Sequence, residues 1–342
     1  MNALLFNPEY IANYYNCSGR TYEEWKVLGK PNVFLGLFYA FFGTIYMVLL
    51  YPFMVVFVKS DLMKSSCYKI MFFLGIIDSI QIPIGGFYCG YAAATGMVYC
   101  MAPMSNYIFG GLALSCWTGG STTCMILAIN RCIDVINPRF AEKLFGGKKT
   151  IIWLLIPSIS FIYFFFFHTS AIFNSNLYAF FFDPFVGTPE RNGTVDGEHY
   201  PYTENSIHNI VVFCVLVVAY SSLLIRLSLK AAKSENPVKM SKIQRQMFIQ
   251  CTLICSGTFI TALVYMYMQF LPTPVWIVVC VQISWQLSHG APGISYALLN
   301  KTMRKEFVKI FCSSSNISRT TGISTNRNQA VVASNYISNN NY

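Results

Sequence analysis

Seven long stretches of this chain are almost free of charge: roughly Val33 to Val58, Tyr68 to Ala94, Tyr107 to Ile133, Thr150 to Phe173, Ile207 to Leu229, Met247 to Leu271 and Val275 to Leu299. A helix needs ~20 mainly apolar residues to cross the ~30 Å hydrocarbon layer of a bilayer, and each stretch is that long. With 54% hydrophobic and 11% charged residues among 342, an ordinary soluble globule is excluded. The expected fold is all-α: an integral membrane bundle of seven transmembrane helices, with a short inner surface helix after the last span. The start, with Asn2, Asn7, Pro8 and Glu9, has no basic segment leading into an apolar core, so no cleavable signal peptide is expected and the first span directs insertion.

Lys and Arg near span ends stay on the cytoplasmic side. If the N-terminus is outside, 20 of the 24 Lys and Arg fall in inner loops and the tail, leaving Arg20, Lys26, Lys30 and Arg191 outside. The net charge of +10 then reflects membrane topology and inner-leaflet lipid, not nucleic acid.

Polar groups inside the spans are costly and are therefore functional candidates. Arg131 ends the third run within Asn130-Arg131-Cys132, where a guanidinium must reach water or a polar partner, and Pro138 is expected to stop that helix. Asp78 is the only acid within the seven windows; Gln81 lies a turn further, and Pro83 with Gly85-Gly86 should bend the helix beyond it. In the last run, Gln282, Trp285, Gln286 and His289 recur at i, i+3, i+4, i+7 and so share one inward face. Pro292 and Tyr296 follow, then a basic amphipathic stretch lying on the inner surface, with Cys312 as a lipidation candidate.

Of twelve cysteines, Cys17, Cys89 and Cys100 face the oxidising side; Cys17 with Cys100 is the leading pair and Cys89 the competitor. Asn16 and Asn192 sit in glycosylation sequons on outer segments. The chain divides into an extracellular lid (1–32), the seven-span bundle (33–299), an amphipathic inner helix (300–312) and a disordered cytoplasmic tail (313–342).

Seven spans with the N-terminus out, Asn130-Arg131-Cys132, Asp78, and Tyr296 leading into a surface helix together resemble a rhodopsin-like G-protein-coupled receptor. More closely, Tyr15-Asn16-Cys17-Ser18, Leu62-Met63-Lys64-Ser65-Ser66-Cys67-Tyr68-Lys69-Ile70-Met71, Leu127-Ala128-Ile129-Asn130-Arg131-Cys132 and His289-Gly290-Ala291-Pro292 resemble, in the same order, the class T family of nematode serpentine chemoreceptors. The resemblance implies a plasma-membrane receptor, the sensory cilia of chemosensory neurons being one such surface. Its implied partners are a small-molecule cue, a heterotrimeric G protein and the lipid bilayer. It implies no cofactor, no metal and no enzymatic activity. Asn130, Arg131, Asp78, His289, Pro292 and Tyr296 would then form the coupling machinery. The sequence departs from the rhodopsin-like pattern at Asn130, where Asp is usual, so Arg131 is expected to lean on Asp134. Pro292 also stands four residues before Tyr296 instead of three.

A cue would bind in the outer half, and Trp117, Tyr265, Gln269, Gln282, Trp285 and Gln286 are the candidate pocket residues. Two other classes compete. A metal-dependent intramembrane hydrolase would use Asp78, His168 and His289. At 1.5 Å rise per residue the first and last lie ~15 Å from their inner span ends and His168 ~27 Å, too far apart for one metal. A transporter or channel would favour paired intramembrane charges or an internal repeat, and neither is evident.

Overall fold

The computed structural model describes residues 7–189, 200, 202–233, 242–270 and 273–312; Asn192 and the tail 313–342 lie outside them, as does the side chain of Gln269. Each apolar run forms a helix, since in a bilayer the helix satisfies every backbone polar group within its own segment. In chain order the helices are α1 (Pro8–Tyr14), α2 (Tyr22–Leu28), α3 (Val33–Lys59), α4 (Ser66–Pro83), α5 (Cys89–Thr95), α6 (Pro103–Ile136), α7 (Pro138–Phe145), α8 (Lys149–Phe166), α9 (Thr203–Lys233), α10 (Lys242–Phe270), α11 (Val275–Leu298) and α12 (Lys301–Phe311). Span one is α3, span two is α4 continued by α5, and spans three to seven are α6, α8, α9, α10 and α11. The outer end of the bundle is taken as the one carrying α1 and α2, following the charge-based orientation.

Exposed apolar side chains such as Phe34, Val48, Ile152, Ile159 and Val218 cover the outside of the bundle, a surface suited to lipid and not to water. Among the described residues six helices are long and apolar enough to cross a membrane by themselves. Span seven matches them in length, but Gln282, Gln286, Ser288 and His289 interrupt its apolar run, and all four are buried against other helices. The protein is a multi-pass membrane protein with a seven-helix, all-α bundle.

Three local features differ from the expectations. Span four ends at Phe166, seven residues before the expected Phe173. The apolar residues beyond it form a hairpin, β1 (Ile172–Asn174) antiparallel to β2 (Ala179–Phe181), with Ile172 opposite Phe181. Ile172 is buried with Tyr15 and Trp25 of the lid and Phe173 with Leu35, Tyr39 and Cys89 of spans one and two, so both are apolar because protein covers them, not because they face lipid. This hairpin needs Gly110 on span three, where a methyl would come within 1.8 Å of the Ala171 carbonyl oxygen.

Pro138 does not simply stop span three. Asn137 ends it and caps α7, accepting from the Phe140 amide at 3.1 Å, and Pro138 takes the first helical position, where a missing N–H costs nothing. Span two, expected to bend, does so through a wide π turn at Ile84–Tyr88, just after Pro83. Arg131 does not mark the aqueous end of span three: the helix runs on to Ile136 and the guanidinium is buried.

The lid is ordered. Asn7 caps α1, and a Thr21–Glu24 capping box starts α2. Trp25 donates from Nε1 to the Cys17 carbonyl at 3.1 Å, and Tyr15 is enclosed edge-on by Tyr99, Tyr107 and Tyr200. Cys17 and Cys100 form a disulfide with Cα atoms 5.5 Å apart, binding the lid to the approach to span three. Cys89 is buried within span two.

Candidate functional site

Beneath the lid the outer half holds a cavity of about 160 Å³. Its walls come from Ala113, Leu114 and Trp117 of span three, Ala171 and Phe180 to Phe182 of the hairpin region, Tyr202 and Asn205 at the start of span five, Tyr265 and Met268 of span six, and Trp285 of span seven. Trp117 is fixed by an Nε1 hydrogen bond to Asn209 Oδ1 at 2.9 Å, and its ring meets Tyr265 at 6.2 Å between centroids. Phe180 meets the Trp285 ring edge-on at 5.5 Å, so the hairpin rests on span seven.

Three of the six pocket candidates, Trp117, Tyr265 and Trp285, line this cavity. Gln282 and Gln286 do not. Gln286 donates to the Tyr39 carbonyl at 2.8 Å and Gln282 to Cys89 Sγ at 3.7 Å, so these amides fasten span seven to spans one and two. The polar stripe is too wide for one neighbour: its Trp285 edge looks into the cavity and its glutamine edge away from it.

The sequence reading missed the contribution of span five. Asn205, His208 and Asn209 follow i, i+3, i+4 spacing. Asn205 lines the cavity, His208 Nε2 and Ser121 Oγ hydrogen-bond at 2.8 Å, and Asn209 holds Trp117. The same periodicity used for span seven could have found them. The hairpin phenylalanines carried no such signal, since their run reads as more of span four.

Directly inward of the cavity, Trp285 meets the His289 ring edge-on at 5.7 Å, and His289 Nδ1 lies 2.8 Å from Asp78 Oδ1. Both partners are buried, so the one intramembrane acid has found a partner, as it must in a low-dielectric bundle. Among the described residues Ser295 Oγ and both amide atoms of Gln81 have no protein hydrogen-bond partner. Pro292 is buried within span seven between His289 and Tyr296.

At the inner end, Arg131 donates to Asn130 Oδ1 from Nε at 3.0 Å and from Nη2 at 2.6 Å, and pairs with Asp134 at 3.2 Å. Asn130 donates onward to Ser66 Oγ at 3.2 Å. Tyr296 donates to the Met71 carbonyl at 3.3 Å. Asn300, just after span seven, donates to Gln250 Oε1 at 2.8 Å and to the Tyr68 hydroxyl at 3.3 Å while capping α12 through the Met303 amide. Spans two, six and seven thus meet at one side chain. Asn16 is exposed on the lid, with its Oδ1 accepting from the Ser18 amide, and Cys312 is exposed at the end of α12.

Among the described residues no three metal-ligating side chains of His, Cys, Asp or Glu cluster together, and His168 lies in the outer loop beyond span four, stacked on Phe164 at 4.9 Å.

Comparison with known proteins agrees with a receptor. Residues 4–320 match the family described as serpentine type 7TM GPCR chemoreceptor Srt. The chain is also similar to serpentine receptor class T-55 of Caenorhabditis elegans, 29% identical over 298 residues, covering 86% of this chain and 80% of that protein. A match across almost the whole length, laid over seven helices, is the ground for assignment: the chain belongs to the Srt family of serpentine 7TM GPCR chemoreceptors.

Proposed function

We propose that this chain is a plasma-membrane chemosensory receptor, N-terminus outside, that binds a small chemical cue in the outer cavity and passes the event to a heterotrimeric G protein at its inner face. One observation carries the reading. The cavity's inner wall includes Trp285, whose ring touches His289, which bonds Asp78, so a ligand pressing on Trp285 acts on the buried polar pair one contact away. The lid (1–32) closes the outer end, the bundle (33–299) transmits, and the inner helix (300–312) with the tail (313–342) faces the cytoplasm. Sensory cilia of chemosensory neurons are a fitting location.

Asn130, Arg131, Pro292 and Tyr296 supply the coupling end, where a partner can compete for the Arg131 hydrogen bonds. Arg131→Ala should leave surface expression within about three-fold and abolish agonist-driven nucleotide exchange: removing the buried guanidinium also removes its desolvation cost, and the groups left behind are still served, Asn130 by Ser66 and Asp134 by water. Screening odorants and small metabolites against expressing cells, with nucleotide exchange as readout, supplies the agonist; full signalling by the Arg131 variant would contradict the coupling assignment. Ala113→Phe, which fills the cavity, should raise the half-maximal concentration of that agonist by about ten-fold or more, a loss of ~1.4 kcal/mol of binding.

A further inference from the structure

The walls of the cavity constrain the chemistry of its occupant, and the inference below rests on the reading that this cavity takes the cue. Its volume is about 160 Å³. An apolar cavity of about 150 Å³ accommodates benzene, so the occupant is one ring with a few further atoms. Among the described residues the walls carry no carboxylate, amine, guanidinium or imidazole. A charged occupant would lose its hydration without gaining a counter-ion, which excludes ammonium and carboxylate cues.

Polar groups in the wall are few, and they are not equivalent. The Trp117 indole N–H is already spent on Asn209. Asn205 is 6% exposed, lines the cavity, and its Oδ1 has no hydrogen-bond partner among the described residues. A buried amide oxygen without a donor is unfavourable, so it rewards an occupant that brings one. The aromatic faces of Trp117, Phe180, Tyr265 and Trp285 suit a planar ring beside it.

We propose that the cue is a neutral, compact, single-ring or similarly sized apolar molecule bearing a hydrogen-bond donor such as a hydroxyl, and that Asn205 Oδ1 accepts from that donor. Asn205 is then the specificity-determining residue of the cavity. Aromatic stacking sets the size of ligand admitted, and the amide sets its polarity.

Four probes of matched shape test this on the purified full-length receptor in lipid nanodiscs, with the thermal unfolding midpoint followed against probe concentration. Benzyl alcohol carries a donor, benzaldehyde an acceptor alone, ethylbenzene neither, and benzylammonium a charge. Benzyl alcohol should stabilise at a concentration about ten-fold below ethylbenzene and benzaldehyde, the effect of one buried hydrogen bond, and benzylammonium should not stabilise. Asn205→Leu should make benzyl alcohol and ethylbenzene equivalent, and Asn205→Ala gives the same comparison should the leucine variant fail to fold.

Absence of stabilisation by benzyl alcohol, equality of the three neutral probes, a preference for benzaldehyde, or a preference surviving in both Asn205 variants would each overturn the proposal. Cavity-filling Ala113→Phe and Ala171→Leu separate this from the site itself. Stabilisation lost on filling but blind to the donor removes the proposed ligand class and keeps the site; stabilisation unaffected by filling removes both.

Discussion

At the outer end, Cys17 is bonded to Cys100, Tyr15 sits within three other tyrosines, and Phe180 lies against Trp285. At the inner end the contacts are hydrogen bonds and one ion pair: Arg131 with Asn130 and Asp134, Asn130 with Ser66, Tyr296 with the Met71 carbonyl, and Asn300 with Gln250 and Tyr68. A disulfide and interlocked rings cannot be exchanged for other contacts without large cost. Hydrogen bonds of net worth ~1 kcal/mol can be traded for bonds to a partner. The same bundle is fixed around its outer cavity and held by exchangeable bonds at its inner end, which is the division of labour the proposed function requires.

The largest expected effect tests the fixed end. Cys17→Ser and Cys100→Ser should lose stability equally, by about 2 to 5 kcal/mol, since each breaks the same bridge; thermal unfolding of the purified variants reads this. Unequal losses would mean that one cysteine serves the fold in another way.

Asn300→Ala comes next. It removes the cap of α12 and the links to Gln250 and Tyr68, and should cost about 1 to 3 kcal/mol while raising basal nucleotide exchange, because spans two, six and seven lose their common joint. A cost equal to that of the disulfide variants would break the contrast between the two ends. Tyr296→Phe removes one hydrogen bond to the Met71 carbonyl and should cost about 1 kcal/mol or less, again with a signalling change larger than its stability change.

The smallest effect is at the outer loop. Burial pushes the His168 imidazole below its ordinary value of 6.5, against the opposing pull of the Thr169 carbonyl and Glu204. The unfolded chain therefore binds the proton more readily. The stability this site contributes is present above the ordinary pKa and is lost as pH falls below it. Moving from about pH 7.5 to about pH 5.5 should lower the unfolding temperature slightly, and His168→Phe, which keeps a ring against Phe164 and Phe182, should flatten that slope.

The spans were legible because lipid demands long apolar helices, and Asp78, Arg131 and His289 stood out because such groups are expensive at that depth. The hairpin was not legible: Ile172, Phe173 and Phe180 are as apolar as a span, and hydrophobicity alone does not say whether a residue is buried by lipid or by protein. Gln282 and Gln286 were legible as inward-facing but not as to which neighbour they meet, since helical periodicity gives a face and not a partner. Asn205 and Asn209 carried a readable spacing at the polar mouth of span five, where turn-like composition masked it.

The central claim is that the Asp78–His289 pair, one contact below the cavity, is a switch and not only a support. Asp78→Asn keeps size and hydrogen-bonding capacity while removing the charge. Basal and agonist-driven nucleotide exchange, normalised to the number of receptors at the cell surface, decides between the two. The switch predicts unchanged agonist binding with an altered normalised exchange curve. A normalised curve identical to that of the parent, with only the surface number reduced, would contradict it.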